Sequence, residues 1–308
     1  MKRFSMLLVA LLSSGLFCLP SAQAEDVIQR FRVSDVPQDR VDYNLLVITE
    51  AMQRTVKQYG PWRIENFTDT LARERVLAEL ESGERFNTAV FVTQPSWEEK
   101  LIPVRIPVDL GLTGFRVSLV NRKTQPILSA IRTEAALKQL SLTAGVSWSS
   151  RKVLEALGFN VQPGTSQQAM LAMLMAERVD LFPRGLNEAV QEYEFFRADY
   201  PDLAIEQSLL IYVPLPTYFF VSPKTPRLAE RLRTGLESMV KDGSLARLVR
   251  ENNAALIASV DFCKRRVFRF DNPLLTSQSA QSSRRYWLDP RDPKTGLCHA
   301  VEKTARKR

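Results

Sequence analysis

Segments rich in β-forming residues alternate with segments of helical periodicity along this chain, and that alternation restricts its fold more than any other feature. Residues 43–56 and 71–81 carry apolar residues at helical spacing, and residues 86–93 form a strong strand candidate. Residues 115–120 alternate apolar and polar side chains, which predicts a strand with one solvated face. Strands that alternate with helices of this size indicate an α/β architecture with mainly parallel sheets.

Capping signals mark several helix ends. Ser149 is expected to cap a helix, and Thr165 with Gln168 has the spacing of a capping box before the next one. Residues 225–226, Thr-Pro, open a last long helix with apolar residues at helical spacing.

No glycine- or serine-rich linker interrupts residues 25–262, which fits two lobes joined by strands that cross between them. The candidate crossings are residues 115–122 and 209–221. The predicted boundaries are residues 25–118 and 217–262 for lobe one and residues 119–216 for lobe two. We expect the ligand to bind in a cleft between the lobes.

Residues 1–24 have a basic start, an apolar run and a small-x-small end, which predicts a cleaved secretory signal peptide and a periplasmic location. Removal of this segment leaves Cys263 and Cys298. An even pair of cysteines in an exported chain predicts one disulfide bond, with two free thiols as the alternative.

Basic charge is concentrated in a C-terminal extension. Residues 263–308 hold 12 Lys and Arg against four acidic residues, whereas residues 25–262 hold 28 basic and 30 acidic residues. The extension is expected either to contact an anionic membrane or cell-wall polymer or to be a solvated appendage. We expect no nucleic-acid partner, because the body has no aromatic-basic motif.

The sequence offers little for catalysis. The only histidine, His299, lies in the extension, so the body can form neither a Ser-His triad nor a His-ligated zinc site. No Walker loop or GxGxxG pattern occurs. We therefore predict a protein that is not an enzyme and that uses no cofactor or metal.

Several sequence blocks, taken in order, carry a resemblance to a known family. These blocks are FNTAVFVT, TGFRVSLV, TAGVSWSS, AERVDLFPRGLNE and LPTYFFVSPKTPRLAERL. Over about residues 33–249 the chain resembles the bacterial periplasmic solute-binding proteins of the polar-amino-acid type, in particular divergent members with a Phe-Pro-Arg-Gly signature. The resemblance implies the two-lobed type II periplasmic binding fold, with two crossover strands and closure on a small solute by hinge motion.

The anchors for ordinary amino acids are missing. Members of the family usually carry Thr-Pro-Glu-Arg, whose arginine binds the ligand carboxylate, and an aspartate that binds the ammonium. Here residues 96–100 read Ser-Trp-Glu-Glu-Lys, with Glu98 near the place of that arginine. The strand at residues 179–182 leads into Pro-Arg-Gly at residues 183–185, with no aspartate at the place after the strand where the family carries one. We therefore expect an anionic or zwitterionic solute other than a standard α-amino acid.

Arg184 follows a predicted parallel strand and is expected to point into the cleft, where its guanidinium suits a carboxylate or phosphate. Glu188, one helical turn later, either neutralises Arg184 or accepts an amine. The alternative is an internal ion pair that fixes the loop.

The turn before one helix offers further ligand candidates in Ser147, Trp148 and Ser149, because free N–H groups at a helix start favour anions. Capping alone also explains Ser149, and Trp148 either lines the cleft or seats the helix.

In lobe one, Trp97 and Arg105 flank the position where family members contact ligand. Tyr43 opens the first helix near the expected ligand loop, where an aromatic residue more often packs. The function predicted by the resemblance is delivery of a small solute by a monomer to an ABC permease. The alternative is a sensory or envelope-interaction protein that reuses the fold without transport.

Overall fold

The computed structural model describes residues 25–33, 38–292 and 296–298. The signal peptide predicted for residues 1–24 and His299 lie outside the described residues. The strands are β1 (Asp26–Val33), β2 (Trp62–Leu71), β3 (Thr88–Val92), β4 (Ile102–Val104), β5 (Phe115–Asn121), β6 (Ser141–Gly145), β7 (Asn160–Gly164), β8 (Phe182–Gly185), β9 (Leu203–Ile205), β10 (Leu209–Tyr212), β11 (Thr217–Val221) and β12 (Arg266–Arg269). The helices are α1 (Gln38–Arg54), α2 (Val56–Tyr59), α3 (Arg73–Ser82), α4 (Pro95–Lys100), α5 (Gln125–Ala130), α6 (Glu134–Lys138), α7 (Ser149–Ala156), α8 (Gln167–Met175), α9 (Leu186–Phe196), α10 (Pro226–Lys241), α11 (Ser244–Ser259) and α12 (Ser277–Tyr286).

Helix ends follow the sequence signals with small shifts. Helix α3 ends at Gly83, which adopts the left-handed conformation with φ 64°. The N-cap of α8 is Ser166, whose hydroxyl accepts the N–H of Ala169, so the predicted cap at Thr165 was one residue early. The N-cap of α7 is Trp148, and Ser149 is the first helical residue rather than the cap.

The predicted α/β class is confirmed, and the sheets combine parallel and antiparallel strand pairs. The pairs β1–β2, β6–β7 and β10–β12 are parallel. The antiparallel pairs all include β5 or β11, which are the two predicted crossover strands.

Strand β5 is buried on both faces, which contradicts the prediction of a solvated face. Phe115 and Val117 lie in the largest apolar cluster, and Leu119 packs with residues of α8. On the other face Arg116 and Ser118 are each 5% exposed. The polar alternation was misleading because the charged side chain is paired inside the protein: Arg116 donates a hydrogen bond to the Pro183 carbonyl.

The two chain crossings lie side by side. Tyr212 pairs with Phe115 at the end of β10, and the Val213 N–H donates to the Gly114 carbonyl at 3.0 Å. Main-chain hydrogen bonds between the two predicted crossing segments couple their conformations, which is the arrangement expected of a hinge between the predicted lobes.

The extension adds a third segment beside this hinge. Strand β12 pairs with β10 in parallel, the Phe270 N–H donates to the Tyr212 carbonyl at 2.8 Å, and the Asn272 side chain donates to the Pro214 carbonyl at 2.7 Å. We name residues 263–292 the strap. Its described residues are packed against the body, which argues against a solvated appendage.

Cys263 and Cys298 form a disulfide bond with their Cα atoms 5.6 Å apart, as predicted. Both Leu297 and Cys298 are buried in the largest apolar cluster. The bond therefore joins Cys298 to the first residue of the strap and closes a covalent loop that contains the strap.

Replacement of Gly235 by alanine is expected to lower the free energy of unfolding by about 1–3 kcal/mol. A Cβ atom on Gly235, in α10, would lie 2.2 Å from the carbonyl oxygen of Ala51 in α1, so the two helices would have to move apart. Urea unfolding measures the change. Glu237→Ala, on the same helix with a side chain 41% exposed, is the control. A loss for Gly235→Ala no larger than that of the control would contradict the close helix contact.

No helix among the described residues combines the length and the apolar character needed to cross a membrane.

Candidate functional site

A crevice of about 240 Å³ lies between the two predicted lobes and is the candidate site. Lobe one contributes the turn from β3 into α4, lobe two contributes the start of α7, and the strap contributes two residues. Its lining residues are Thr93, Gln94, Pro95, Ser96, Ser149, Lys152, Val153, Asn272 and Leu274. The crevice lies where the predicted lobe boundaries would place a cleft, and the strap contributes to its lining.

A larger groove of about 460 Å³ lies elsewhere, where β1 and β2 begin beside the start of α10. Its walls carry both signs of charge, and several of these charges are already paired: Arg63 contacts Glu25 and Glu65. This groove belongs to predicted lobe one alone, so we regard the crevice as the candidate site.

The lobe-two wall of the crevice is suited to an anion. Helix α7 begins after Trp148, which provides no side-chain hydrogen bond to the first turn, although the Arg151 N–H donates to the Trp148 carbonyl at 3.1 Å. By helix geometry the N–H groups of Ser149 and Ser150 have no acceptor within the helix, which suits an anion. Lys152 is the only charged residue among the described residues that line the crevice. Ser149 lines it too, whereas Ser147 lies half-buried in the preceding turn.

Arg184 lies outside the crevice lining and forms an internal ion pair. Its side chain is 3% exposed, and its Nε donates to both carboxylate oxygens of Glu192, at 2.9 and 2.8 Å. Glu188 lies 3.6 Å from the Arg184 guanidinium and accepts the Gly185 N–H at 2.8 Å. The geometry corresponds to the alternative of an internal ion pair, with Glu192 as the main partner of Arg184. The strand predicted before Arg184 pairs in both senses: Leu181 bridges Leu142 in parallel, and Phe182 pairs with Leu119 antiparallel.

Burial shifts the ionisation of Glu192, the partner of Arg184. Burial raises the pKa of Glu192 above its usual value, although the adjacent Arg184 guanidinium favours the ionised form. The Gln167 amide donates a further hydrogen bond to Glu192 at 2.8 Å.

Trp148 covers the Arg184 guanidinium. The Arg184 Cζ lies 4.1 Å from a Trp148 ring centroid, and the indole is nearly parallel to the Phe182 ring at 6.2 Å. A Cβ on Gly145 would meet the same indole at 2.5 Å, so a glycine is required beneath it. Trp148 therefore seats α7 on lobe two.

On the lobe-one side, Glu98 is the centre of a polar cluster beneath the strap. Its side chain is 4% exposed. The Thr276 and Ser279 hydroxyls of the strap donate to its two oxygens at 2.8 and 2.6 Å. The Thr93 hydroxyl also donates to it, and Arg105 forms a salt bridge with it at 2.9 Å.

These donors determine the ionisation of Glu98. Burial opposes the charged form, but the hydrogen bonds from Ser279, Thr93, Thr276 and Arg105 together outweigh it, so the pKa of this carboxyl lies below its usual value. Glu98 is thus an ionised carboxylate at the position where the family resemblance places an arginine.

Two aromatic candidates are packing residues. Trp97 is 5% exposed and contacts Phe91 and Phe220, with ring centroids 4.6 and 5.4 Å apart. The Tyr43 hydroxyl donates to the Val108 carbonyl at 2.7 Å, and burial raises the pKa of this phenol well above its usual value. Neither residue lines the crevice.

No model of a known protein family matches the chain, and no curated protein matches it either. A solved structure of a probable amino-acid ABC transporter extracellular-binding protein, ytmK from Bacillus subtilis, is similar with a TM-score of 0.52 and 13% identity over 74% of this chain and 97% of that one. A structure from Streptococcus mutans, described with glutathione import through GshT, is similar with a TM-score of 0.51 and 11% identity over 74% of this chain and 95% of that one. The chain has the two-lobed solute-binding fold.

One of these structures is described as a binding protein and the other with import, and at such low identity the similarity shows the fold alone. Almost the whole of each neighbour is covered, while about a quarter of this chain lies outside the match. Among the described residues, no group of His, Cys, Asp and Glu side chains could hold a metal ion.

Sequence reasoning placed Ser149 in the site but missed Lys152, Thr93 and Asn272. Lys152 follows Ser149 by three residues, so helical spacing after the predicted turn was an available signal. No sequence signal marked Asn272, because this residue lies beside the crevice only as a consequence of the path that the strap takes.

Proposed function

We propose that this protein binds a small anionic or zwitterionic solute in the crevice between its lobes, with lobe boundaries as predicted from the sequence, and delivers it to an ABC permease of the cell envelope. The observation that carries the proposal is the lining of the crevice: both lobes contribute, and the start of α7 with Lys152 supplies uncompensated positive potential.

The lining also favours a solute with several polar groups. Gln94, Ser96 and Asn272 supply amides and hydroxyls that donate and accept hydrogen bonds. Ligand-binding sites with a few convergent polar groups fix the orientation of a small molecule, and a wall on each lobe allows closure around it.

Purified mature protein is expected to be stabilised against thermal unfolding by at least one compound in a panel of citrate, inorganic phosphate, succinate, gluconate, γ-aminobutyrate, glutathione and the common amino acids. A ligand that binds only the folded state at 100 times its dissociation constant contributes about 2.7 kcal/mol. Lys152→Ala should weaken that binding about tenfold or more, because a hydrogen bond to a charged group is lost.

Lys123→Ala is the matched control, since Lys123 is 68% exposed and lies outside the crevice. Equal weakening by both variants would show a general charge effect and not a site at α7. If no compound stabilises the protein, solute binding in the crevice is wrong.

A sensory or envelope-interaction role is the second candidate, and the strap favours it. The crevice is smaller than the 300–1,000 Å³ that is usual for ligand sites. The strap also carries exposed basic side chains at Lys264, Arg269, Arg284 and Arg285. Salt-sensitive binding to vesicles that contain an anionic lipid, lost in Arg284→Ala with Arg285→Ala, would support this role. Equal binding to neutral vesicles would contradict it.

A further inference from the structure

The strap contacts the three parts of the molecule that must move when the crevice opens. Beside the predicted hinge, β12 pairs with β10 in parallel. On lobe two, Phe270 packs on Phe159 with ring centroids 5.3 Å apart. On lobe one, α12 covers Glu98, and the Leu288 N–H donates to the Leu110 carbonyl at 2.9 Å.

The apolar contacts of the strap lie at its two ends. Phe268 and Phe270 are buried in a lobe-two cluster before α12. After α12, the Trp287 indole lies so close to Gly111 that a Cβ there would be 2.2 Å from the ring. These aromatic residues are the durable attachments, because burial of large apolar side chains dominates packing energy.

Between those ends, α12 is held by polar contacts. Its buried residues are Ser279, Ser282 and Ser283. The Ser282 hydroxyl donates to the Arg105 carbonyl, and Ser279 donates to Glu98. A few hydrogen bonds of this kind, even those to a charged group, hold α12 less firmly than a large apolar interface would, so its docking can be reversible.

We propose that the strap is an intramolecular competitor for the solute crevice. When it is docked, Asn272 and Leu274 narrow the crevice, and the Thr276 and Ser279 hydroxyls donate hydrogen bonds to the Glu98 carboxylate. When α12 lifts, the Glu98 carboxylate is uncovered beside the crevice.

The competition half of this inference rests on the proposed solute binding, whereas the docking half does not. It also defines the solute further. A solute that displaces α12 must satisfy Glu98 with hydrogen-bond donors, either an ammonium or hydroxyl groups, and must present an anionic group to Lys152 and the start of α7. An anion without donors would leave Glu98 buried with too few partners.

Docking is tested by hydrogen–deuterium exchange on the full mature chain with its disulfide intact. Thr276→Val combined with Ser279→Ala removes the two hydroxyls and keeps most of the side-chain volume. Thr276 also caps α12 by accepting the Ser279 N–H, so Ser279→Ala alone, which leaves that cap intact, is measured beside the double variant and should accelerate exchange in α12 as well. We expect exchange in α12 to become about tenfold faster or more, while α7 and α10 keep their rates, because hydrogen bonds to a charged group are lost.

Ser277→Ala is the matched control, since Ser277 is an exposed residue of the same helix. It should leave the exchange of α12 unchanged. Unchanged exchange in the double variant, or equal acceleration by the control, would overturn docking through Glu98.

Competition is tested with γ-aminobutyrate, gluconate and succinate as probes. The first offers an ammonium, the second offers hydroxyls and the third offers no donor, so the arms separate the two solute classes. We expect the ammonium or the hydroxyl probe to bind the double variant about tenfold more tightly than the parent, and to speed α12 exchange in the parent. Succinate should do neither.

Two results would overturn competition. One is tight binding of a donor probe to both proteins with equal affinity and without a change in α12 exchange. The other is that none of the three probes binds to either protein, which would rule out anions with an ammonium or hydroxyl groups as the solute. Hydrogen–deuterium exchange alone decides whether α12 docks through Glu98. The thermal-stability panel decides whether the protein binds a solute at all.

Discussion

Replacement of Arg184 by alanine is expected to lower the free energy of unfolding by about 3–5 kcal/mol, because it leaves a buried carboxylate without its cationic partner. The Glu192 side chain is 6% exposed and accepts three hydrogen bonds from the Arg184 guanidinium. Glu188 lies beside the same group, so the variant would bury two acidic side chains close together. Chemical denaturation followed by circular dichroism measures the loss.

The loss should depend on pH in a defined direction. Burial raises the pKa of Glu192 even in the presence of Arg184, and removal of the guanidinium raises it further. A raised folded-state pKa favours the folded state at low pH, so the deficit of Arg184→Ala should shrink as the pH falls from about 7 towards about 4.5. Arg197→Ala is the control, because Arg197 is 57% exposed and pairs with Glu194 at the surface. A deficit that is equal at both pH values would contradict this account of the pair.

Replacement of Arg231 by alanine is expected to lower the free energy of unfolding by about 3 kcal/mol. Arg231 is fully buried in α10 and donates to Asp26 Oδ2 at 2.7 Å, to the Gly60 carbonyl at 2.8 Å and to Thr55 Oγ1 at 3.0 Å. Its removal takes this donor from the Gly60 carbonyl and Thr55 Oγ1 and one of two cationic partners from Asp26. The loss is smaller than at Arg184 because Asp26 keeps a second partner in Arg227.

Arg233→Ala provides a matched comparison on the same helix. Arg233 is 45% exposed and pairs with Glu230 and Glu237, and exposed pairs of this kind contribute at most about 1 kcal/mol. The free energies of unfolding of the two variants, measured by thermal or urea unfolding, should therefore differ clearly. Similar losses for both would contradict the role of Arg231 as the buried link between α10 and the first strand.

Local signals in the sequence were enough to predict the fold class. Periodicity located α1, α3 and α10, and the two extended segments proposed as crossings became β5, β10 and β11. The even pair of cysteines predicted the disulfide bond. These features depend on properties of neighbouring residues, which a sequence displays directly.

The candidate site was harder to predict because its contacts join distant segments. Arg184 and Glu192 are eight residues apart across a strand end and two helical turns, and no local spacing rule connects them. Helix α12 docks through serine hydroxyls and not through an apolar stripe, so hydrophobic periodicity did not reveal it. The polar face of β5 was misread because an internal partner for Arg116 is invisible in an alternating pattern.

The disulfide that closes the strap sets how the molecule would respond to concentration. A competitor attached at both ends cannot diffuse away, so the fraction of molecules with an open crevice is fixed by the protein itself and not by dilution. If that fraction were about one in a hundred, the apparent dissociation constant would rise about a hundredfold above the intrinsic one. Such a chain would bind little of its solute at trace concentrations and fill only as the concentration approaches that raised constant.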